Sequence, residues 1–111
     1  MRAIKLSSRL WADSSGKVLT LVSAEDCREL MAGICTFKPG QRLPQEGFTS
    51  HEGAELSLML SGELVLGTEE GERVVKSGEL VLIEPGTRHY SENRGRAEAR
   101  VLWVIAPAIN L

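Results

Sequence analysis

The regular alternation of short apolar runs with turn-forming residues constrains the fold most strongly. Runs rich in Val, Ile and Leu are separated by Gly, Pro, Ser and Asn along the whole chain. No segment of about ten residues has a persuasive helical period. Eight or more short strands with turns at such regular spacing are typical of a sandwich or barrel. The sequence therefore predicts an all-β fold.

The predicted strands follow from these runs and turns: Lys17–Ser23, Arg28–Phe37, Leu56–Leu60, Glu63–Leu66, Glu72–Lys76, Glu79–Ile83, His89–Asn93 and Ala99–Ala106. The first two are predicted to pair as a hairpin around residues 24–26. Ser23 and Asp26 are also compatible with the capping box of a short helix. A loop is expected through Gln41–Ser50.

Length and composition indicate one domain spanning residues 1–111, because 42% hydrophobic residues suffice for one core of ordinary size. A formal net charge of −2 argues against a nucleic-acid surface. Arginines near the second histidine alternate with glutamates and are read as a solvated rim. An alternative is that Arg88 contacts an anionic ligand.

Targeting signals also limit the function classes. The longest apolar stretch, Val101–Ile109, is interrupted by Pro107 and is shorter than the ~20 residues of a membrane helix. The first ten residues contain no uninterrupted apolar core, so they do not resemble a signal peptide. Cys27 and Cys35 form no disulfide framework or zinc-like spacing and are expected to be reduced thiols. We therefore expect a cytoplasmic protein that contacts neither membrane nor nucleic acid.

The chain contains only two histidines, His51 and His89; His51 lies shortly before the predicted strand Leu56–Leu60, and His89 begins another. Because strand side chains alternate between faces, Glu55 shares a face with Ser57 and Met59, and His89 shares one with Ser91 and Asn93. A buried carboxylate is costly without a cation or hydrogen-bond donors. If the two strands lie side by side, two imidazoles and one carboxylate converge. That set suits Fe(II) or catalytic zinc, and manganese and nickel are also acceptable.

The spacing of these residues resembles the cupin signature. The first motif reads His51-Glu52-Gly53-Ala54-Glu55, then six residues to Gly62. The second reads Gly78, five residues, Glu84-Pro85-Gly86, two residues to His89 and three to Asn93. The resemblance implies a double-stranded β-helix, also called a jelly-roll barrel, with motif 1 at about 40–62 and motif 2 at about 78–93.

The same resemblance maps His51, Glu55 and His89 onto metal-ligand positions. Thr49 stands where the family usually has a further histidine, so it is expected to be a weak or water-mediated ligand at most. Residues 50–55 and 99–107 also resemble the C-terminal sensor cupins of helix-turn-helix transcription regulators. Because no helix-turn-helix pattern precedes the strands, we expect no DNA-binding role.

These patterns predict a barrel that binds a divalent transition metal (Fe, Mn, Zn or Ni) and holds a small polar or carboxylated molecule at its mouth. One alternative is a small metal-dependent dioxygenase or isomerase, with Glu46 or Glu52 as a base. Another is a metal-free interaction module. The pocket candidates are Gln45, Glu46, Phe48, Ser57, Met59 and Ser91.

We also expect a homodimer. Leu56, Leu58 and Leu60 share the strand face opposite Glu55 and must be buried against a second sheet or a partner subunit. Together with the final strand they offer more apolar surface than one small barrel needs to cover, and pairing would also protect exposed edges.

Overall fold

A computed structural model describes residues 1–109 as two antiparallel sheets with one short helix, which confirms the all-β prediction. The elements are α1 (Ser8–Asp13), β1 (Val18–Val22), β2 (Met31–Phe37), β3 (Arg42–Leu43), β4 (Ala54–Ser61), β5 (Glu63–Thr68), β6 (Gly71–Lys76), β7 (Leu80–Ile83), β8 (His89–Glu92) and β9 (Ala99–Ala106). The strand order is β1-β2-β9-β4-β7 in the first sheet and β3-β8-β5-β6 in the second. Apolar side chains on the inner faces of the two sheets form the core.

The predicted hairpin between the first two strands is confirmed. β1 pairs antiparallel with β2, with Val18 opposite Cys35. The connecting turn also contains hydrogen bonds of the capping type. The Ser23 amide donates to Asp26 Oδ2 at 2.9 Å, and the Glu25 amide donates to Ser23 Oγ at 3.3 Å. Residues 24–26 accordingly form a turn and not a helix. The chain after them pairs with β9 over the whole of β2.

The short helix α1 was not predicted, because its six residues are too few to display a helical period. Ser7 caps it by accepting a hydrogen bond from the Leu10 amide at 3.3 Å. Trp11 is buried, and the Arg100 guanidinium lies 5.1 Å from the centre of its ring. Ser14 Oγ is hydrogen-bonded to Thr36 Oγ1 at 2.8 Å. The helix thus covers the outer face of β2.

The leucine face of β4 points away from the second sheet, so burial between the two sheets is not its role. Leu56 lies opposite Leu82 and Leu58 opposite Leu80 on β7. The exposed fractions are 41% for Leu56, 64% for Leu80 and 56% for Leu82. Because Glu55, Ser57 and Met59 face inward, strand alternation forces these leucines outward.

No helix in residues 1–109 is long and apolar enough to cross a membrane.

Candidate metal centre

The three side chains predicted as ligands lie together between the two sheets. His51 precedes β4, Glu55 is near the start of β4, and His89 begins β8. One potential ligand atom from each lies within 4.8 Å of the other two. The distance from His51 Nε2 to Glu55 Oε1 is 3.3 Å, and the centres of the two imidazole rings are 5.5 Å apart. This group of two imidazoles and one carboxylate could hold a metal ion.

The route by which these residues meet differs from the predicted one. The sequence argument made convergence depend on the strands of His89 and Glu55 lying side by side, but β8 pairs with β3 and β5 in the other sheet. An isolated bridge between His89 and Thr49, in the segment before β4, connects them instead. The Thr49 amide donates to the His89 carbonyl at 2.9 Å, and the His89 amide donates to the Thr49 carbonyl at 2.8 Å. His51 follows two residues after Thr49, and this bridge therefore brings its ring close to the ring of His89.

Thr49 occupies a place beside this group. Because residues directly opposite in an antiparallel bridge project to the same side, its side chain lies on the side of the His89 imidazole. Both residues line the central cavity. Thr49 therefore lies next to His89 on the cavity wall.

Hydrogen bonds orient two of the three ligand groups. His89 Nδ1 lies 2.8 Å from the Thr87 carbonyl oxygen, to which it donates as N–H. This bond leaves the Nε2 lone pair of a neutral imidazole free for a metal. Ser57 Oγ donates to Glu55 Oε2 at 2.9 Å and leaves Oε1 directed toward His51. Each of these two groups thus keeps one atom that can coordinate a metal, Nε2 of His89 and Oε1 of Glu55. The residues present therefore fit a metal.

The cavity beneath this group has a volume of about 350 Å³. Three predicted pocket residues line it: Ser57, Met59 and Ser91. The other three, Gln45, Glu46 and Phe48, are not among its lining residues. Gln45 and Glu46 are exposed on the loop after β3.

Contacts on the outer face of the second sheet explain why Phe48 turns away from the cavity. Its ring packs edge-on against Tyr90, with the ring centres 5.5 Å apart. The Arg42 guanidinium lies 4.0 Å from the centre of the Tyr90 ring and donates to the carbonyls of Pro44 and Gly47. Arg42 and Tyr90 thus hold the loop against the sheet.

Arg88 and Arg94 form surface ion pairs, as the solvated-rim interpretation predicts, whereas Arg100 of the same region packs on Trp11. Arg88 donates to Glu69 at 2.9 Å and lies over the Phe48 ring. Arg94 donates to Glu72 and Glu92. Hydrogen bonds from Arg94 and from the Tyr90 hydroxyl lower the pKa of the Glu72 carboxyl to about 2. These charges lie on the outer surface, separate from the two imidazoles.

Cys35 lines the cavity but is chemically distinct from the three ligand groups. Burial raises the pKa of its thiol to about 12, so the thiol is neutral at pH 7 and is a poor nucleophile. We expect iodoacetamide at pH 8 to alkylate the partly exposed Cys27 and to leave Cys35 unmodified in the native protein. Peptide mass spectrometry with and without urea measures this difference. Equal labelling of both cysteines without urea would contradict it.

Several cavity residues were not singled out from the sequence, although strand alternation contains the signal. Val101, Trp103 and Ile105 are alternate residues of β9, and Val81 and Ile83 are alternate residues of β7; all five line the cavity. Alternation alone did not show which face was internal, because β7 and β9 carry apolar residues on both. Within residues 1–109, Trp103 Nε1 is the one buried side-chain polar atom without a hydrogen-bond partner among those residues.

The sequence matches the Cupin domain family over residues 33–105, which include all three candidate ligands. The chain belongs to the cupin family. The fold is accordingly the double-stranded β-helix predicted from the motifs. No curated protein matches the sequence significantly.

Solved structures support the same fold assignment. An RmlC-like cupin family protein from Methanocaldococcus jannaschii is similar with a TM-score of 0.73 at 17% identity, over 82% of this chain and 79% of that chain. The EutQ protein of Clostridium difficile gives a TM-score of 0.69 at 21% identity, over 95% of this chain and 75% of that chain. A cupin superfamily protein from Desulfitobacterium hafniense gives 0.67 at 17% identity, over 81% and 77%. At these identities the likeness shows the fold alone.

Proposed function

We propose that His51, Glu55 and His89 of this cupin bind one divalent transition metal and that a small molecule binds over it through a polar or carboxylate group. The observation that carries the proposal is the convergence of three potential ligand atoms within 4.8 Å at one end of an internal cavity. When bound, the ion supplies a Lewis-acidic centre for an oxygen or nitrogen of the small molecule.

The surrounding residues support such a site. The bond to Thr87 fixes the His89 ring, and the bond from Ser57 fixes the Glu55 carboxylate, so little ordering remains to be done on binding. Two imidazoles and one carboxylate leave open positions on iron, manganese, nickel or zinc. Thr49 contributes at most a weak or water-mediated contact beside them.

Binding is favoured over catalysis by the residues around the cavity. Neither of the glutamates considered as a base, Glu46 or Glu52, is among its lining residues, and both are exposed. The other polar groups of the lining are the hydroxyls of Thr49, Ser57 and Ser91, the neutral thiol of Cys35 and the indole of Trp103. Hydroxyls without an adjacent base are weak proton-transfer groups near neutral pH.

Two free cysteines also suit a reducing compartment such as the cytoplasm.

Elemental mass spectrometry of the untagged protein tests the metal proposal. We expect close to one equivalent of iron, manganese, nickel or zinc per chain, either as purified or after reconstitution of chelator-treated protein. The convergence of three potential ligand atoms is the physical reason. Failure to retain any of the four ions after reconstitution would overturn the proposal.

We further propose that a second copy of this chain covers the outer face of β4 and β7. Leu56, Leu58, Leu80 and Leu82 lie opposite one another in two cross-strand pairs, and β9 extends the face with Leu102 and Val104. A three-strand apolar face without a charged residue among these six positions is self-complementary, because a two-fold axis sets the same leucines against each other. A charged partner would leave its charges unpaired on this surface.

The dimer proposal predicts that Leu82→Glu converts the protein to a monomer. Leu82 is 56% exposed in one chain, and two buried carboxylates facing each other across a two-fold axis would repel. Multi-angle light scattering at micromolar concentration measures the mass. Val74→Glu is the matched control, because Val74 is 48% exposed on β6 of the other sheet, and that variant should stay dimeric. A monomeric mass for the unmodified protein would refute the dimer.

A further inference from the structure

We infer that the molecule bound by this cavity is an amphiphile: a polar or carboxylate head at the histidines carries an apolar body, such as an alkyl chain or an aromatic ring, that fills the barrel beyond them. The position of the head rests on the proposed metal site. The apolar character of the body rests only on the walls of the cavity.

Strand register shows that the polarity of the cavity changes along its length. At the first level Glu55 lies opposite Ile83 on β7 and Ile105 on β9. At the second level Ser57 lies opposite Val81 and Trp103. At the third level Met59 lies opposite Val101 on β9. Residues two apart on a strand are separated by about 7 Å, so the wall becomes apolar within two steps of the carboxylate.

The second sheet completes the same gradient. His89 and Ser91 on β8 line the polar part. Within the same sheet Leu66 on β5 lies opposite Ser91, and Leu64 on β5 lies opposite Val75 on β6, farther from the histidines. Val75 and Leu64 are buried, with exposed fractions of 2% and 3%. The far wall is therefore formed by aliphatic side chains of both sheets.

Among the described residues, hydrogen-bond partners for a uniformly polar occupant such as a sugar lie near the histidines and at the second level, where Thr49, Ser91 and the unpaired indole N–H of Trp103 line the cavity, and not at the third level. The Ser57 hydroxyl already donates to Glu55, and the Cys35 thiol is a weak donor. Hydroxyl groups placed against Met59, Val75 and Val101 would lose their water without replacement, which costs binding energy for each group. An alkyl or aromatic body loses no hydrogen bond there and gains from leaving water.

The size of the cavity is sufficient for such a body. A dry cavity of about 150 Å³ with apolar walls binds benzene, whereas this cavity measures about 350 Å³ including the end at the histidines. A ring or an alkyl chain of several carbons thus fits beyond the head group. A two-carbon ligand would leave most of the apolar wall uncovered.

Two ligand series test the inference by isothermal titration calorimetry. Straight-chain carboxylates from acetate to decanoate are titrated into zinc-loaded protein. Straight-chain alcohols from ethanol to decanol are titrated into a His51→Ala/His89→Ala variant, in which binding depends on the cavity without the metal. We expect affinity to rise about fourfold per added methylene in both series and to stop rising when the cavity is full.

Matched variants on β6 locate the binding surface. Val75→Phe reduces the internal space and should weaken octanoate binding about tenfold or more relative to acetate. Val74→Phe adds the same ring on the outer face of the same strand, where Val74 is 48% exposed, and should leave both ligands unchanged. Because Val75→Phe overpacks a buried position, its folding is checked by circular dichroism. Val81→Phe, at the partly exposed second level, is the substitute if the first variant unfolds.

The outcomes separate the two proposals. Affinity that does not depend on chain length in either series overturns the amphiphile inference, even if zinc binds stoichiometrically. Failure of zinc, iron, manganese and nickel alike to bind, together with a chain-length dependence in the alcohol series, overturns the metal proposal and supports the apolar body. A chain-length dependence in both series, weakened by Val75→Phe or Val81→Phe and not by Val74→Phe, supports both.

Discussion

Replacing His51 and His89 together by alanine is expected to reduce bound metal from about one equivalent per chain to a trace. The two imidazoles provide two of the three potential ligand atoms within 4.8 Å, and Glu55 alone cannot retain a transition metal against water. Elemental mass spectrometry after dialysis measures the loss.

Two further variants make this result specific. Glu52→Gln changes an exposed carboxylate next to His51 that is not in the three-residue group, and it should retain full metal content. Ser57→Ala removes the hydrogen bond that orients Glu55, and it should weaken affinity by about 10–100-fold without abolishing binding. If the double histidine variant keeps its metal while folded, the ion binds elsewhere and the assigned ligand set is wrong.

The second large effect is expected from Gly33→Ala, which should lower the free energy of unfolding by about 3 kcal/mol or more. A Cβ atom at Gly33 would lie 2.5 Å from Cζ2 of the Trp103 indole and would overlap the Leu19 carbonyl oxygen. Neither neighbour can move freely, because Leu19 contributes backbone and Trp103 is only 6% exposed. Thermal denaturation should show a midpoint lower by about 10 °C or more.

Gly95→Ala is the control for the general effect of adding a methyl group. Like Gly33 it has no positive φ angle, and its added Cβ would meet only the Asn93 Oδ1 atom at 3.3 Å. The midpoint of this variant should stay close to that of the unmodified protein. An unchanged midpoint for Gly33→Ala would show that the indole can leave its position over β2 at little cost.

The candidate ligands could be predicted because local spacing carries their signal. Glu55, Ser57 and Met59 face inward together, as the two-residue period requires. The hairpin of β1 and β2 could also be predicted, since apolar runs flank a polar turn. The helix α1 could not be predicted, because its six residues are too few to show a repeating apolar pattern.

The position of the loop after β3 could not be predicted from the sequence. Gln45, Glu46 and Phe48 were placed near the cavity because their loop precedes the first histidine. Phe48 instead packs on Tyr90, a contact between residues 42 positions apart in sequence. The direction in which a loop side chain points depends on such distant partners. Loops also lack the periodicity that defines the two faces of a strand.

The sequence by itself determined the all-β class, the inward face of β4 and the identity of three residues that could hold a metal ion, because strand alternation and motif spacing are local properties. Only the tertiary structure decided that β8 meets the segment before β4 through the Thr49–His89 bridge and that the leucines of β7 lie beside those of β4 on one outer face. It also decided that the cavity beyond the histidines is apolar. These features depend on which strands become neighbours, and contacts between distant segments of the chain set that arrangement.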